Sequence, residues 1–421
     1  MANSILTVDK LAQRALPLAR EQMLFGNHVN NDLSLVDEMT SVSGGGKGGG
    51  TIRVRRPVRY TVRTGTTRSN QDISEKYVSV PAPSMKGVDF TIPTTELSKD
   101  IEYVAERYLM PATAQLASQI DTDVAANYIN IPNVVGTPGT SPNAYSFLAN
   151  IDQRFVELNV PADNLKLMLS PGARNTMSDA MKGLFDQGLT KDAVRRGELG
   201  MISRMQTGYT NNIPAHVTGT FSTGSTPLVN GAVSNGALTI VTDGWANSTA
   251  VLKAGDVFTI ANVYEVNPMT RSSTGVLKQF VSRDDVTSDG SGNATITVFD
   301  SDETEGMHFS GQYQNMSAQI ADNAALTVWG ATGGLGGAGS EGTSYTQSVA
   351  FHRNCFWLGI FPLDDNLPGA EAKTVTDSYS GFSMRLTRQY EVSSDDIVYR
   401  LDAYYATDTL CPEWGVRLVG A

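Results

Sequence analysis

The stretch that decides the fold lies past the middle of the chain and reads Leu252-Lys253-Ala254-Gly255-Asp256-Val257-Phe258-Thr259-Ile260. Glycine and aspartate favour a turn, and the β-branched and aromatic residues that follow favour a strand. Three further segments of strand-like composition surround it, at Ala237–Val241, Leu277–Val281 and Ala294–Val298. Asn, Asp, Gly and Ser residues separate them. Short strands alternating with turns predict a small all-β barrel or sandwich over residues 218–328.

The chain on either side of this β domain has a different pattern of apolar residues. Apolar residues at helical spacing predict a long helix over Leu97–Ile129, interrupted at Pro111. A second helix is predicted over Tyr145–Val160, and a buried strand over Leu165–Leu169. Strongly apolar chain resumes at Cys355–Phe361. The β domain is therefore predicted to be inserted into one α+β parent, formed by residues 94–217 and 329–421.

Residues 51–93 are predicted to form a long two-stranded excursion. Strand-forming residues occur at Val58–Val62 and again at Tyr77–Val80, with a polar, turn-like tip between them. Within this segment no acidic residue precedes Asp72, which makes its first half the clearest charge asymmetry of the chain. The odd-numbered arginines share one face if the strand continues through Pro57; the face is either a solvated surface or a contact for an acidic partner. The arginines of the segment are Arg53, Arg55, Arg56, Arg59, Arg63 and Arg68.

Residues 1–50 are predicted to be an N-terminal arm followed by a flexible glycine-rich hinge. The arm is read as an amphipathic helix that packs either on its own domain or on a neighbour. The hinge, Gly44–Gly50, lacks the Lys-Ser/Thr ending of a phosphate-binding loop. A second glycine-rich linker covers residues 331–342.

The composition excludes several classes of protein. The 421 residues include 32 Lys and Arg against 43 Asp and Glu, a net charge of −11, so the chain is a poor general binder of nucleic acid. Two cysteines cannot build a disulfide framework, and the four histidines lie far apart in the sequence. No apolar run approaches the length of a membrane helix. A protein of a reducing compartment, with several domains, is expected.

Residue patterns that support catalysis are scarce. Cys355 and His352 are three residues apart in an apolar run, which is more typical of packed core residues than of a catalytic pair. The adjacent acids Asp284-Asp285, Asp364-Asp365 and Asp395-Asp396 are typical of solvated turns rather than metal sites. We therefore predict no catalytic, cofactor-binding or metal-binding residues, and no enzymatic activity.

Several segments together resemble the P22-type coat proteins of tailed bacteriophages. In the β domain they are residues 252–260, Val263–Pro268 and Ser273–Phe280; near the C-terminus they are Ala350–Asn354, Ser383–Leu386 and Arg400–Tyr405. The order of parts also matches: arm, extended hairpin, long helix, α+β body, inserted β domain and return to the body. The likeness covers nearly the whole chain.

The resemblance implies an α+β HK97-like capsid fold with an inserted small β-barrel domain. In that fold residues 51–93 are the extended loop (E-loop), Leu97–Ile129 is the spine helix of the peripheral domain, and the remaining α+β parts form the axial domain. The implied function is that of a major capsid protein, many copies of which assemble into an icosahedral shell around double-stranded DNA.

The resemblance also implies a set of partners. These are further copies of the chain in pentamers and hexamers, a scaffolding protein during assembly, a portal protein, a cement or decoration protein, and packaged DNA held without specific binding. The expected location is the virion, after synthesis in the cytoplasm of the host bacterium. For the arginine face we expect carboxylates on a neighbouring subunit, with Asp100, Glu102 and Glu106 of the spine helix as candidates.

Two other classes of function remain open from the residues alone. A β-rich receptor-binding or glycan-binding surface protein of the virion would also be acidic and rich in Ser, Thr and Gly. A hydrolase or nuclease with an unrecognised site would need clustered acids and would use the arginines to bind nucleic acid.

Overall fold

The architecture is that of a computed structural model with side chains. It describes residues 12, 13, 15–17, 19, 23–39, 52–68, 70, 71, 73, 75–94, 105–181, 200–221, 226–299, 306–331, 341–376 and 382–419. The predicted hinge at Gly44–Gly50, parts of the N-terminal arm and most of the second glycine-rich linker lie outside these residues.

Strands outnumber helices in the described residues. The helices with described bounds are α1 (Met110–Ala126), α2 (Tyr145–Glu157) and α3 (Pro171–Ala180); a π-helix, Ala105–Leu109, precedes α1, and a 3-10 helix, Asn127–Asn130, follows it. Residues 12, 13, 15–17 and 19 of the N-terminal arm are also helical. The strands are β1 (Val36–Met39), β2 (Ile52–Arg56), β3 (Lys76–Val80), β4 (Ser84–Pro93), β5 (Val134–Val135), β6 (Leu165–Leu169), β7 (Met201–Ile202), β8 (Met205–Tyr209), β9 (His216–Val217), β10 (Leu228–Val229), β11 (Thr239–Asp243), β12 (Ala250–Leu252), β13 (Val257–Val266), β14 (Ser273–Val281), β15 (Val286–Thr287), β16 (Ala294–Thr297), β17 (Leu326–Val328), β18 (Ser344–Tyr345), β19 (Ser348–His352), β20 (Phe356–Ile360), β21 (Glu371–Thr376), β22 (Ser383–Glu391), β23 (Asp396–Thr409) and β24 (Gly415–Leu418). Short 3-10 turns occur at Leu33–Leu35, Arg353–Cys355 and Pro412–Trp414.

The chain divides into two compact units. Unit 1 comprises Met1–Arg53, Val80–Ala125 and Phe356–Asp408, and unit 2 comprises Val54–Ser79, Ala126–Cys355 and Thr409–Ala421.

Unit 1 is built on a five-stranded sheet in the order β20-β23-β22-β21, with β4 also paired to β23. Strands β4 and β23 pair antiparallel without interruption from Ser84–Tyr405 to Pro93–Asp396. The buried face of α1 presents small and branched apolar residues, as its spacing predicts. The Asp123 side chain on α1 accepts a hydrogen bond from Tyr405 on β23 at 2.5 Å and lies 2.7 Å from Lys86 Nζ on β4. These polar contacts fix α1 against the sheet.

Unit 2 contains a six-stranded sheet in the order β5-β24-β19-β6-β8-β7. One face of this sheet is covered by α2, whose Leu148, Ile151 and Phe155 share a core with sheet residues such as Leu167 and Val416. Ser170 caps α3, accepting a hydrogen bond from the Ala173 N–H at 3.3 Å. The predicted helix over Tyr145–Val160 and strand over Leu165–Leu169 are confirmed.

The β domain is part of unit 2, and the antiparallel strands β9 and β18 flank it in the chain. Between them, antiparallel strands enclose a hydrophobic core whose fully buried residues run from Phe221 to Val328. The strands observed at Thr239–Asp243, Val257–Val266, Ser273–Val281 and Ala294–Thr297 confirm the four predicted ones, with shifted ends.

The E-loop segment differs from its prediction in two respects. Strand β2 ends at Arg56, and residues 57–62 form no strand, because Pro57 cannot donate a ladder hydrogen bond. The arginines beyond Pro57 therefore do not continue the face of the strand. Strands β2 and β3 are neighbours in one sheet, whereas Ser84–Pro93 belongs to the sheet of unit 1.

The spine helix is confirmed over the described part of its predicted range, in three segments of different pitch. The π-helical turn falls immediately before Pro111, where the proline removes one helical donor and makes a regular turn unfavourable. Among the helices of the described residues, none is both long and apolar enough to cross a membrane.

Candidate functional site: the joint of the β domain and the root of the E-loop

The turn Lys253–Asp256 lies at the start of the stretch 252–260. It contacts β9, the strand that precedes the β domain in the chain. The buried carboxylate of Asp256 accepts hydrogen bonds from the N–H groups of Lys253 at 2.8 Å and Gly219 at 2.9 Å. Its other oxygen lies 2.8 Å from Nε2 of His216, the first residue of β9. One buried acid therefore organises its own turn and fixes the segment His216–Gly219, which leads into the β domain.

Any residue other than glycine would be strained at position 255 in this turn. Its φ of +95° lies in the region that residues with a Cβ rarely adopt. A Cβ at this position would also lie 3.0 Å from Cβ of Ile129 and 3.1 Å from Cε1 of His216. The glycine allows the backbone of the β domain to approach the end of the spine helix closely.

Arg417 on β24 is the charged centre of the joint and is completely buried. Its guanidinium donates from Nε to the carbonyl of Ile131 at 2.7 Å, from Nη2 to that of Ile129 at 2.8 Å and from Nη1 to that of Gly255 at 2.8 Å. Burial lowers the pKa of Arg417 to about 10. The same desolvation raises the pKa of neighbouring Tyr128, whose ring lies 5.9 Å from the guanidinium, to about 12. A single side chain thus binds two segments of unit 2 to the turn of the β domain.

A second set of contacts reinforces the joint. The amide of Gln279 accepts from the N–H of Val134 at 2.9 Å and donates to its carbonyl at 3.3 Å, so the side chain imitates a strand partner of β5. The indole of Trp329 donates to the carbonyl of Gly136 at 3.0 Å. The apolar part of this interface consists of Val134, Val257, Val281, Trp329, Tyr345 and Val419.

A buried ionic cluster lies at the other end of β13 and β14. Nζ of Lys278 is 2.9 Å from one oxygen of Glu265, and Nη2 of Arg154 on α2 is 3.9 Å from the other. Arg154 also binds Glu157 at 3.1 Å and the amide oxygen of Asn133 at 3.2 Å. Two positive and two negative groups balance, which makes burial of the charges tolerable.

Two arginines of the E-loop, Arg55 and Arg59, have acidic partners within the chain where the loop begins and ends, here called its root. Nη1 of Arg55 is 3.2 Å from Glu75, and both side chains are about half exposed. Nη2 of Arg59 donates to Glu413 at 3.0 Å, in a pair that is mostly shielded from solvent. These contacts hold the two sides of the loop together and fix them to the C-terminal segment of unit 2.

The other predicted site residues are in different surroundings. Arg56 is buried, on the side of β2 that also buries Ile52 and Val54, and Arg53 is half-buried. Arg63 and Arg68 are exposed. Arg63 donates to the carbonyl of Gly65 within the loop. The proposed acidic partners Asp100 and Glu102, and the side chain of Glu106, lie outside the described residues.

Groups that suggested chemistry in the sequence have structural partners. Asp285 accepts from Lys253 Nζ at 2.6 Å and from the N–H of Ala254 at 2.9 Å, and the Lys253 hydrogen bond is the main reason why the pKa of Asp285 is lowered. Cys355 is fully buried, and burial raises the pKa of its thiol, which is unfavourable for a nucleophile. Within the described residues, no three His, Cys, Asp or Glu side chains are grouped so as to hold a metal ion.

Sequence reasoning missed Arg417 and the Glu265–Lys278 pair. The available signal for Arg417 was one charge in an otherwise apolar run, Gly415-Val416-Arg417-Leu418-Val419. A charge in such a run needs buried acceptors, but the sequence does not say which segments supply them.

Comparison with known proteins identifies the chain as one that builds phage capsids. A family model described as "P22 coat protein - gene protein 5" matches residues 51–420, which is most of the chain. The chain therefore belongs to the P22 coat protein family, and it is a major capsid protein of a tailed bacteriophage. No curated protein sequence matches the chain.

The chain is also similar to several solved structures. One is titled "Mycobacterium phage Che8", with 12% identity, a TM-score of 0.43 and coverage of 95% of this chain and 92% of that chain. The capsid of the cyanophage P-SCSP1u is 10% identical, with a TM-score of 0.42 and coverage of 95% and 88%. The coat protein I-domain of CUS-3 is 22% identical, with a TM-score of 0.19, and covers 25% of this chain and 96% of that domain.

Proposed function

We propose that this coat protein closes its shell mainly through the E-loop, which reaches a neighbouring copy of the chain. The observation that carries the proposal is the exposure of large apolar side chains on the loop: 96% for Val62, 68% for Ile73 and 60% for Tyr60. Several large apolar side chains left exposed on one extended segment are what a contact covered by another chain would use. Arg63 and Arg68 accompany it.

The partner of these arginines is proposed to be acidic and to belong to a neighbouring subunit. Because Arg55 and Arg59 are paired within the chain, Arg63 and Arg68 are the arginines best placed to bind it. Asp100, Glu102 and Glu106 of the neighbouring spine helix remain the proposed acceptors. Each exposed pair contributes only about 0–1 kcal/mol, but the contact is repeated in every subunit of a shell.

The shell is proposed to be icosahedral, to consist of pentamers and hexamers, and to enclose double-stranded DNA. The net charge of −11 supports a wall that repels its own genome instead of binding it. A scaffolding protein, a portal and a decoration protein are the further partners we propose, with synthesis in the host cytoplasm. The role of the chain in this assembly requires no catalysis.

The E-loop contact is tested with the double variant Arg63→Glu/Arg68→Glu. We expect a monomer with an unchanged circular dichroism spectrum that forms no closed particles in electron micrographs, because the reversed charges repel the acidic partner. The matched control is Arg204→Glu/Arg353→Glu, which changes the net charge equally at exposed arginines outside the loop. Normal particles from the loop variant would contradict the proposed contact. Low-copy oligomers from the unmodified protein would instead favour a receptor-binding role.

A further inference from the structure

The hairpin turn between β13 and β14 contains more hydrogen bonds than a simple connection between two strands requires. Oδ1 of Asn267 accepts from the N–H groups of Met269 at 2.9 Å and Thr270 at 3.1 Å. The N–H of Arg271 donates to the Asn267 carbonyl at 2.8 Å, and Arg271 has a φ of +57°. The turn is thereby held in one conformation, although a residue with a Cβ is disfavoured there.

The same asparagine fixes the turn to the body of unit 2. Nδ2 of Asn267 donates to the carbonyl of Glu157, at the end of α2, at 2.8 Å. The buried ionic cluster of Glu265, Lys278 and Arg154 holds the strands of the same hairpin. The position of Arg271 is therefore determined by the body and by the β domain together.

Arg271 directs its guanidinium at the root of the E-loop. Its Nη2 donates to the carbonyl of Tyr60 at 3.0 Å. A second contact of different chemistry joins the same two parts: Nζ of Lys76 on β3 lies 5.0 Å from the centre of the Tyr313 ring in the β domain. With the Arg59–Glu413 pair, three contacts surround the root of the loop.

The loop itself is closed at the level of these contacts. The amide of Gln71 accepts from the N–H of Thr61 at 2.7 Å and donates to the Thr61 carbonyl at 2.5 Å. Thr61 follows the residue that Arg271 binds. The contacts at the root and the Thr61–Gln71 hydrogen bonds together fix the point from which the exposed residues of the loop extend.

We propose that Arg271, Tyr313 and Glu413 form a cradle for the root of the E-loop, and that through this cradle the β domain sets the direction in which the loop reaches its neighbour. The occupant of the cradle is the loop of the same chain, bound through Tyr60, Lys76 and Arg59. The existence of the cradle concerns a single subunit, whereas its role in directing the loop rests on the proposed function of the E-loop.

The cradle is tested in the full-length monomer by hydrogen exchange of peptides that cover residues 57–68. Arg271→Ala and Tyr313→Ala should each raise the exchange of the Thr61 amide, which donates to Gln71, roughly 5- to 30-fold, because opening of the loop root becomes easier. Peptides from β13 should keep their protection. Arg271→Lys, which keeps the charge but not the fork of the guanidinium, should lie between. The control is Arg204→Ala, an exposed arginine paired with Asp152.

The outcomes separate the cradle from the assembly function. Unchanged exchange at 57–68 in both alanine variants would overturn the cradle. A looser loop in variants that still form shells of normal size and shape would overturn its role in directing assembly. Failure of the unmodified protein to form shells would overturn the proposed role of the E-loop, while the exchange result would still decide whether the cradle exists.

Discussion

Arginine is used in two opposite ways in this coat protein. Arg417 is fully buried and satisfied by three backbone carbonyls; within the described residues no carboxylate lies within 4.0 Å of it. Arg55, in contrast, is about half exposed and binds one similarly exposed carboxylate. Removing a buried donor leaves desolvated acceptors, whereas an exposed group exchanges its partner for water. Burial, and not residue type, determines how much each arginine contributes.

The largest effect should come from Arg417→Met. The variant keeps much of the side-chain volume but leaves three buried carbonyls without a donor, and we expect a loss of about 3 kcal/mol or more in the free energy of unfolding. Urea unfolding monitored by tryptophan fluorescence measures it. Arg417→Lys should lose less, because a single ammonium can satisfy some of the carbonyls. A loss below 1 kcal/mol for the methionine variant would remove the basis of the comparison.

Gly255→Ala should have the next largest effect, about 1–3 kcal/mol, because it combines an unfavourable φ with a close contact to Ile129. Gly275→Ala is the matched control, since Gly275 has a φ of +79° with open space where the Cβ would be. The control isolates the backbone cost, about 1 kcal/mol. Equal losses in thermal unfolding would show that the close approach at the joint is unimportant.

His352 extends the comparison to a group that can lose its charge. It is buried, and burial lowers its pKa, with the Asp163 carboxylate 3.8 Å away opposing the shift. The folded protein therefore binds this proton less readily than the unfolded chain, so the stability contributed by neutral His352 decreases as the pH falls below the unfolded pKa of about 6.5. Unfolding of His352→Gln from pH 8 to pH 5 should show a smaller decrease than unfolding of the unmodified protein. Parallel curves would contradict this assignment.

The smallest effect is expected for the exposed pair of Arg55 and Glu75. A double-mutant cycle with Arg55→Ala and Glu75→Ala should give a coupling of about 0.2–1 kcal/mol that decreases with added salt. A coupling that equals the loss at Arg417 and resists salt would show that the root of the E-loop is as well shielded as the joint.

The parts of the fold with strong local patterns were predictable. Helix α2 and strand β6 have apolar residues at the periods of a helix and of a buried strand, and the four central strands of the β domain are separated by turn residues. The length of β2 was not predicted, because one proline outweighed the β-branched residues that follow it. The composition at Val58–Val62 gave no sign of that outcome.

The candidate site was only partly predictable. The arginine-rich segment was visible as a charge asymmetry, but the intrachain partners Glu75 and Glu413 were not, since Glu413 is 354 residues from Arg59. Arg271 was a turn residue without a visible role. Its contact with Tyr60 depends on how the hairpin and the E-loop meet, which is a property of two distant segments.

The α+β body, the inserted run of short strands and the membership in the coat protein family could be predicted from residues alone, because periodicity, turn residues and motifs are local properties of the chain. That Gly255, Asp256 and Arg417 form one joint, and that Arg271 holds the E-loop, is visible only in the folded molecule. Hydrogen bonds between distant segments depend on desolvation and on close approach of backbones. Both arise only when the segments have packed.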